Sequence, residues 1–203
     1  WTSAEFLPQE RQLFGLPGGF MNDWKLMTNL PGLFVAGDAL YASNCFGHAA
    51  TTGHYAGRHA ADYATDQADF VAPCQFQVDA EKERVYAPLF RDTSSNISWK
   101  ELNEAIAKTM QNYCSEIKRD ELLLSGVEQL ERYQQEVVPN TAAANPHELV
   151  RLLEVYNILT VSQLILQACL VRSGSCENLE FYRSDDDGQF QPFLVIRHDG
   201  EKT

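Results

Sequence analysis

A short apolar segment that ends in an acidic residue and leads into a helix of small residues constrains this chain most. Residues 33–36 predict a buried strand, and Gly37 and Asp38 follow it directly. A helix is predicted from about residue 47 to residue 64, and its first turns hold mainly Gly, Ala and Thr. Side chains this small let a ligand approach the backbone, and a helix N-terminus offers unpaired N–H groups and a positive dipole end. The stretch therefore predicts one wall of a nucleotide-type cofactor site at the carboxyl end of a strand.

The same stretch resembles the last FAD-contacting segment of the fumarate reductase and succinate dehydrogenase flavoprotein family. In that family a T-x-x-P-G-L-[FY]-x-A-G-[DE] string precedes a small-residue loop and a long helix. Residues 108–114, 146–156 and 181–185 further resemble the C-terminal region of one branch, the adenylylsulfate reductase alpha subunit. The alternative is an ordinary buried strand–turn–helix unit. The residues that match the string are Thr28, Pro31, Gly32, Leu33, Phe34, Ala36, Gly37 and Asp38.

The resemblance implies FAD as the cofactor of the full-length protein and assigns part of the flavin wall to this chain. Asp38 would accept a hydrogen bond from a ribityl or ribose hydroxyl, and a turn or helix-capping role is the alternative. The backbone N–H groups at residues 51–53 would face the flavin pyrimidine carbonyl. The implied cofactor-binding residues are Gly37, Asp38, Asn44, Gly47, Thr51, Thr52 and Gly53.

Two residues beside the helix start, Cys45 and His48, are the candidates for catalysis. His48 could contact flavin or substrate, or it could be a hydrogen-bonded structural histidine. Cys45 could be a reactive thiol at a helix N-terminus or a small buried apolar residue. It stands where fumarate reductases carry an arginine that binds a substrate carboxylate. A thiol cannot make that charged, bidentate contact, so the sequence disfavours a dicarboxylate substrate.

The resemblance also bounds what this chain can do alone. The string G-x-G-x-x-G, which binds the cofactor pyrophosphate, does not occur in it. We therefore interpret the chain as the C-terminal part of an FAD-dependent oxidoreductase that transfers two electrons through flavin N5, with a separate iron–sulfur subunit as the implied partner. Alone it is expected to hold FAD weakly or not at all, and its substrate is not assignable. The competing hypothesis is a non-catalytic helical scaffold or subunit-docking module that binds no flavin by itself.

Composition narrows the class of protein. Of 203 residues 44% are apolar, which is typical of a globular chain, and a net charge of −12 disfavours nucleic acid and anionic lipid as partners. No run of about eighteen apolar residues occurs, so no membrane span is expected. The five cysteines show no C-x-x-C spacing, which disfavours a disulfide scaffold, a zinc ribbon and an iron–sulfur cluster. We expect no metal site and a cytoplasmic location.

The predicted fold class is α+β and mostly helical. Residues 1–68 are expected to be the closing strand–helix segment of an FAD-binding domain, and residues 69–96 a linker or arm. Residues 97–203 are expected to form a three-helix bundle with a short C-terminal strand at 193–197. A further short strand is predicted over residues 20–27.

Sequence signals place the starts of the three bundle helices. Ser98 and Glu101 predict a capping box at the first start. The second helix is predicted to begin near Asp120, and Asn145, followed by a proline, predicts the start of the third. Residues 161–170 of the third helix are apolar nearly all round, so we expect them to be enclosed.

Overall fold

The computed structural model describes residues 18–41, 45–67, 72–94, 96–189 and 194–196. The chain divides into two units, Trp1–Ala72 and Pro73–Thr203. Helices account for most of the described residues, which confirms the predicted fold class. The helices are α1 (Phe46–Asp66), α2 (Gln75–Tyr86), α3 (Trp99–Tyr113), α4 (Asp120–Arg132) and α5 (Pro146–Val171), and the strands are β1 (Ile117–Lys118) and β2 (Tyr182–Arg183).

The chain ahead of α1 folds into turns. Within residues 18–41, isolated bridges pair Asn22 with Thr28 and Met27 with Phe34, and no strand forms. The strands predicted over 20–27 and 33–36 are therefore wrong. The physical reason is local, because the Asp23 carboxylate accepts two backbone N–H groups at 2.8 and 3.0 Å and closes this segment into a turn.

Helix α1 extends the predicted helix by a residue or two at each end. Its Ala56 is buried, and the helix packs on the turns through Tyr63, whose ring meets Phe34 edge-on at 6.1 Å between centroids. The small residues of α1 allow this close packing, although glycine in a helix interior costs about 1 kcal/mol relative to alanine. Tertiary packing thus stabilises α1 more than intrinsic propensity does.

Helices α3, α4 and α5 form the predicted three-helix bundle. Each helix buries apolar residues at helical spacing, and α4 and α5 place leucines seven residues apart in the core. Burying such a side chain contributes about 1.5–3 kcal/mol. The core leucines and isoleucine are Leu102 and Ile106 of α3, Leu123 and Leu130 of α4, and Leu152, Leu159 and Leu166 of α5.

The predicted helix starts are confirmed to the residue. The backbone N–H of Ser98 donates to the Glu101 carboxylate at 2.8 Å, and the backbone N–H of Glu101 donates to the Ser98 hydroxyl at 3.4 Å. Helix α4 starts at Asp120. At α5 the Asn145 side chain accepts the N–H of Glu148 at 3.0 Å. Each cap satisfies N–H groups that the helix itself cannot pair.

Helix α4 ends through two further helical turns of different geometry. The α-helix stops at Arg132, a π-helical turn follows over Tyr133–Val137, and a 3₁₀ turn over Val138–Asn140 contains Pro139. A proline ring clashes with the carbonyl four residues earlier, so the backbone widens before it reaches Pro139. The proline ends the helical segment, as the sequence predicts.

One face of α5 is exposed, which makes the expected enclosure of residues 161–170 wrong. Val161 and Ile165 are 53% and 43% exposed, whereas Ser162 and Leu166 are buried. The reason is geometric: α3 and α4 pack on one side of α5, and a fully apolar circumference would need neighbours on every side.

Helix α5 also meets the criteria for a membrane-spanning helix by length and composition alone, with a mean hydropathy of 1.5 over its most apolar stretch. Core helices of globular proteins meet the same criteria. Here seven residues of α5 are buried, and its leucines belong to the bundle core.

A two-residue parallel pairing ties the C-terminal segment to the bundle. Ile117 of β1 pairs with Tyr182 of β2, and Lys118 pairs with Arg183. The strand predicted over residues 193–197 is absent at 194–196, and its end residues lie outside the described residues. The C-terminal segment instead forms a strand at β2, because the segment that pairs with it, β1, lies between α3 and α4.

The segment predicted as a linker or arm contains regular structure. It holds α2 and a 3₁₀ turn over Ala87–Phe90, in which Pro88 is fully buried. The carbonyl of Pro88 accepts the N–H of Ala143 at 3.0 Å. Residues 87–90 are therefore packed against the bundle.

Candidate functional site

The turn that carries Asp38 depends on a glycine. Gly37 opens a 3₁₀ turn, Gly37–Ala39, with a backbone φ of +59°, in the left-handed region that glycine adopts without a Cβ penalty. A Cβ at this position would also lie 3.5 Å from the Cβ of Ala49 in α1. The backbone geometry thus explains the glycine in the Ala–Gly–Asp string.

Two side chains of α1 hold Gly37. The Gly37 N–H donates to Oγ1 of Thr52 at 2.8 Å, and the Thr52 hydroxyl donates to the carbonyl of His48 at 2.7 Å. Nε2 of His48 lies 3.1 Å from the Gly37 carbonyl oxygen. A carbonyl oxygen only accepts, so Nε2 carries the proton. We call Gly37, His48 and Thr52 the Gly37 clamp.

The clamp assigns structural contacts to two of the candidate residues. His48 and Thr52 are four residues apart, so both side chains lie on the face of α1 that packs on the turn. The Thr52 hydroxyl uses its proton and one lone pair within the clamp. A hydrogen-bonded structural histidine is one of the two roles that the sequence leaves open for His48, whereas the structural role of Thr52 was not predicted. The signal that could have revealed the role of Thr52 is the four-residue spacing of two polar side chains beside Gly37.

The other candidates are exposed around the clamp. Asp38 follows Gly37 directly and is exposed, and so are Gly47, Thr51 and Gly53 of α1. Cys45 is the exposed N-cap of α1, which disagrees with the buried, apolar reading of this residue. Asn44 lies outside the described residues. The structure therefore brings Gly37, His48 and Thr52 into direct contact and leaves the remaining described candidates on the surface.

The start of α1 offers backbone donors on an open surface. Among the described residues, the N-cap Cys45 gives no side-chain hydrogen bond to the first turn. A Cβ built on Gly53 or on Gly57 would meet no atom within 4 Å. Unpaired N–H groups at a helix start favour an electron-rich ligand edge. The described residues contain no cluster of three or more potential metal-ligating side chains.

The family comparison matches the helical part of the chain. Residues 103–196 match the family described as fumarate reductase flavoprotein C-term. The match begins within α3 and so lies outside the Gly37 clamp. This match confirms the resemblance to a fumarate reductase and succinate dehydrogenase-type flavoprotein.

Solved structures share the fold over most of the chain. Adenylylsulfate reductase from the hyperthermophilic Archaeoglobus fulgidus matches 82% of this chain with a TM-score of 0.74 at 22% identity. Mycobacterium smegmatis Sdh1 in complex with UQ1 matches 81% with a TM-score of 0.71 at 20% identity. FrdA of the E. coli quinol fumarate reductase matches 90% with a TM-score of 0.63 at 18% identity.

The chain spans 29% of the length of the first two structures and 32% of the third. No match was found among curated protein sequences. The comparisons thus establish the C-terminal flavoprotein fold.

Proposed function

We propose that this chain is the C-terminal part of an FAD-dependent oxidoreductase and that its first unit forms one wall of the flavin site. The observation that carries the proposal is the Gly37 clamp, which fixes the turn bearing Asp38 against the N-terminal turns of α1 through two hydrogen bonds of 2.8 and 3.1 Å. An exposed acceptor and a set of helix N–H donors are thereby held on one rigid support. The flavoprotein match of residues 103–196 independently supports the part of the proposal that makes this chain the C-terminal part of a flavoprotein.

The exposed residues fit the polar parts of a flavin. Asp38 can accept a hydrogen bond from a polyol hydroxyl, and the N–H groups of the first turns can donate to a carbonyl edge. Thr51 and Gly53 leave the helix surface open, since glycine has no side chain and Thr51 points outward. When bound, FAD supplies reversible two-electron chemistry. This chain binds and orients the group, while His48 and Thr52 act as positioning residues.

The electron-transfer partner in this proposal is a separate iron–sulfur subunit. The chain's cysteines lack the spacing of cluster ligands, so a cluster would have to be held by another chain. The proposal assigns no substrate. Exposed Cys45 stands in place of the arginine that would bind a dicarboxylate, and a thiol supplies no fixed positive charge.

A second candidate function is a non-catalytic scaffold or docking module. The observation that favours it is the exposed apolar face of α5, where Ile158, Val161 and Ile165 are each more than 40% exposed. Contiguous apolar side chains on a surface indicate contact with another protein segment. A scaffold would bind that segment without binding flavin.

Flavin retention in the full-length protein distinguishes the two functions. We expect Asp38→Ala to lose a charge-assisted hydrogen bond worth about 1.5–3 kcal/mol, which weakens FAD binding roughly 10- to 150-fold. The measurement is the FAD dissociation constant, from fluorescence quenching as FAD is added to the apoprotein. The matched control is Asp62→Ala, which removes an exposed aspartate of α1 beyond the first turns.

The outcomes separate the alternatives. The flavin proposal expects weaker FAD binding by Asp38→Ala in a variant that remains folded, with Asp62→Ala like the wild type. Equal affinities of the two variants would make Asp38 a turn residue and remove the assigned site. A full-length wild-type protein that binds no FAD would favour the scaffold.

A further inference from the structure

The C-terminal ends of α3 and α5 bring two free thiols into contact. Cys114 is the C-cap of α3, where its N–H donates to the Met110 carbonyl at 2.8 Å. Cys169 lies in the last turn of α5 and belongs to the bundle core. Cys114 packs against the core cluster to which Cys169 belongs, and the two thiols interact with each other. Two thiols that are 55 residues apart in the sequence are thus held next to each other.

The two thiols differ in access and in charge environment. Cys169 is buried, whereas Cys114 is partly exposed. Lys118 of β1 holds its ammonium beside Cys114 by donating to the carbonyl oxygens of Ser115 at 3.0 Å and Glu116 at 3.3 Å. A nearby cation stabilises a thiolate. Cys114 is therefore the thiol that a soluble reagent reaches first.

The pKa values of the two thiols shift in opposite directions. The hydrogen bond from Cys169 lowers the pKa of Cys114 to about 6, and the Lys118 charge acts in the same direction. The same hydrogen bond and burial raise the pKa of Cys169. The negative ends of the α3 and α5 dipoles oppose a thiolate at both positions, so the hydrogen bond and the lysine are what favour it at Cys114.

We propose that Cys114 and Cys169 form a peroxide-sensitive dithiol that closes to an intrachain disulfide. The Cys114 thiolate attacks one oxygen of hydrogen peroxide, the O–O bond breaks, and a sulfenic acid and hydroxide form. The Cys169 sulfur then attacks the sulfenic sulfur, the S–O bond breaks, and hydroxide leaves. The proton of Cys169 and one from solvent convert the hydroxides to water. Two thiols lose two electrons and the peroxide gains them.

The disulfide would join the ends of α3 and α5 across the bundle. A covalent link between residues far apart in sequence restricts the unfolded chain, so oxidation raises the stability of the second unit. Cys114 acts as the nucleophile and Cys169 as the resolving thiol. The site is a redox-responsive lock on the bundle, and it is independent of the flavin wall in the first unit.

The test oxidises the full 203-residue chain with one equivalent of hydrogen peroxide and maps its cysteines by mass spectrometry without reduction. Trypsin places Cys114 in the peptide of residues 109–118 and Cys169 in that of 152–172. We expect these two peptides to be linked, and the link to disappear after dithiothreitol. In Cys169→Ser, dimedone should trap a sulfenic acid at Cys114. The matched control is Cys74→Ser, which removes an exposed thiol at the N-cap of α2 and should leave the link unchanged.

A second measurement needs no variant, so misfolding cannot obscure it. In the reduced wild type, iodoacetamide at pH 7 should alkylate Cys114 faster than Cys169. A linked pair of peptides, dimedone at Cys114 and this order of alkylation support the proposal. Absence of the link, a link to any other cysteine, or faster alkylation of Cys169 would overturn it.

Discussion

We expect Arg183 to contribute more than any other residue to the attachment of the C-terminal segment to the bundle. Its side chain is 1% exposed, and Nη1 donates to the carbonyls of Cys169 at 2.9 Å and Arg172 at 2.8 Å. The rest of the guanidinium contacts the carboxylates of Asp185 and Asp120. The informative perturbation is Arg183→Met, which keeps an elongated side chain and removes every donor.

The loss of stability in Arg183→Met depends on which hydrogen-bond partners of Arg183 water can reach after the substitution. The two carbonyls lie at the end of α5, where the helix supplies no donors, and an unpaired buried carbonyl costs about 1–3 kcal/mol. The Asp120 side chain is 58% exposed, so water replaces the guanidinium there and the lost ion pair adds no more than about 1 kcal/mol. We therefore expect Arg183→Met to lose about 3–5 kcal/mol and Asp120→Asn to lose about 1 kcal/mol or less.

Urea unfolding followed by far-ultraviolet circular dichroism measures both variants. With a slope of about 2 kcal/mol per molar urea, Arg183→Met should lower the midpoint by about 2 M. The control is Arg132→Met, which removes an exposed arginine paired with Glu136 at 3.4 Å and should change the midpoint little. The reasoning is refuted if Arg183→Met costs no more than this control, or if Asp120→Asn alone reproduces its loss.

Two further predictions concern pH and packing in the second unit. The buried guanidinium holds the pKa of Asp185 well below its ordinary value of 3.8, so its stabilisation is present above about pH 4 and is lost as the pH falls further. Between pH 7 and pH 3 the urea midpoint of the wild type should fall more than that of Asp185→Asn, and equal falls would contradict the assignment. Gly126→Ala would place a Cβ 2.9 Å from the Cβ of Tyr113 and 3.0 Å from Cδ1 of Leu166, so we expect a loss of about 1–3 kcal/mol in urea unfolding. Gly57→Ala, where a Cβ meets nothing within 4 Å, should gain up to about 1 kcal/mol, and a gain at both positions would show that α4 does not approach its neighbours as described.

Local chemistry made the bundle predictable. The caps at Ser98 and Asn145 use side chains within three residues of the N–H groups they satisfy, so the sequence contains both partners. The apolar spacing of α3 and α4 likewise predicts their buried faces. The exposure of Val161 was not predictable, because periodicity reports how apolar a face is and not whether a neighbour covers it.

Non-local pairing explains the strands that were missed. The pairing of Lys118 with Arg183 joins residues on either side of two helices, and nothing near either residue signals the other. Conversely, residues 33–36 are apolar enough for a strand but have only an isolated bridge as a partner. A strand depends on its partner, whereas a helix satisfies its own backbone.

The turn at Gly37 was predictable from the sequence, whereas the contacts of the side chains that hold it were not. The glycine at position 37 and the small residues of α1 mark the turn and its support. The functions of His48 and Thr52 in the clamp depend on how α1 packs on that turn, which spacing alone does not fix. Asp38 is exposed in the structure, and its contact with a cofactor is a proposal.

Hydrogen–deuterium exchange of the full-length protein, with and without FAD, tests the central claim most directly. If the start of α1 and the turn before it form a flavin wall, FAD should slow exchange of the backbone amides of residues 46–48, because these N–H groups precede the first intrahelical bond, from Ala49 to Cys45, and a bound ligand protects N–H groups that the helix leaves unpaired. Amides in the middle of α5 serve as the internal reference and should change little. Stoichiometric FAD binding that leaves the exchange of residues 46–48 unchanged would contradict the account.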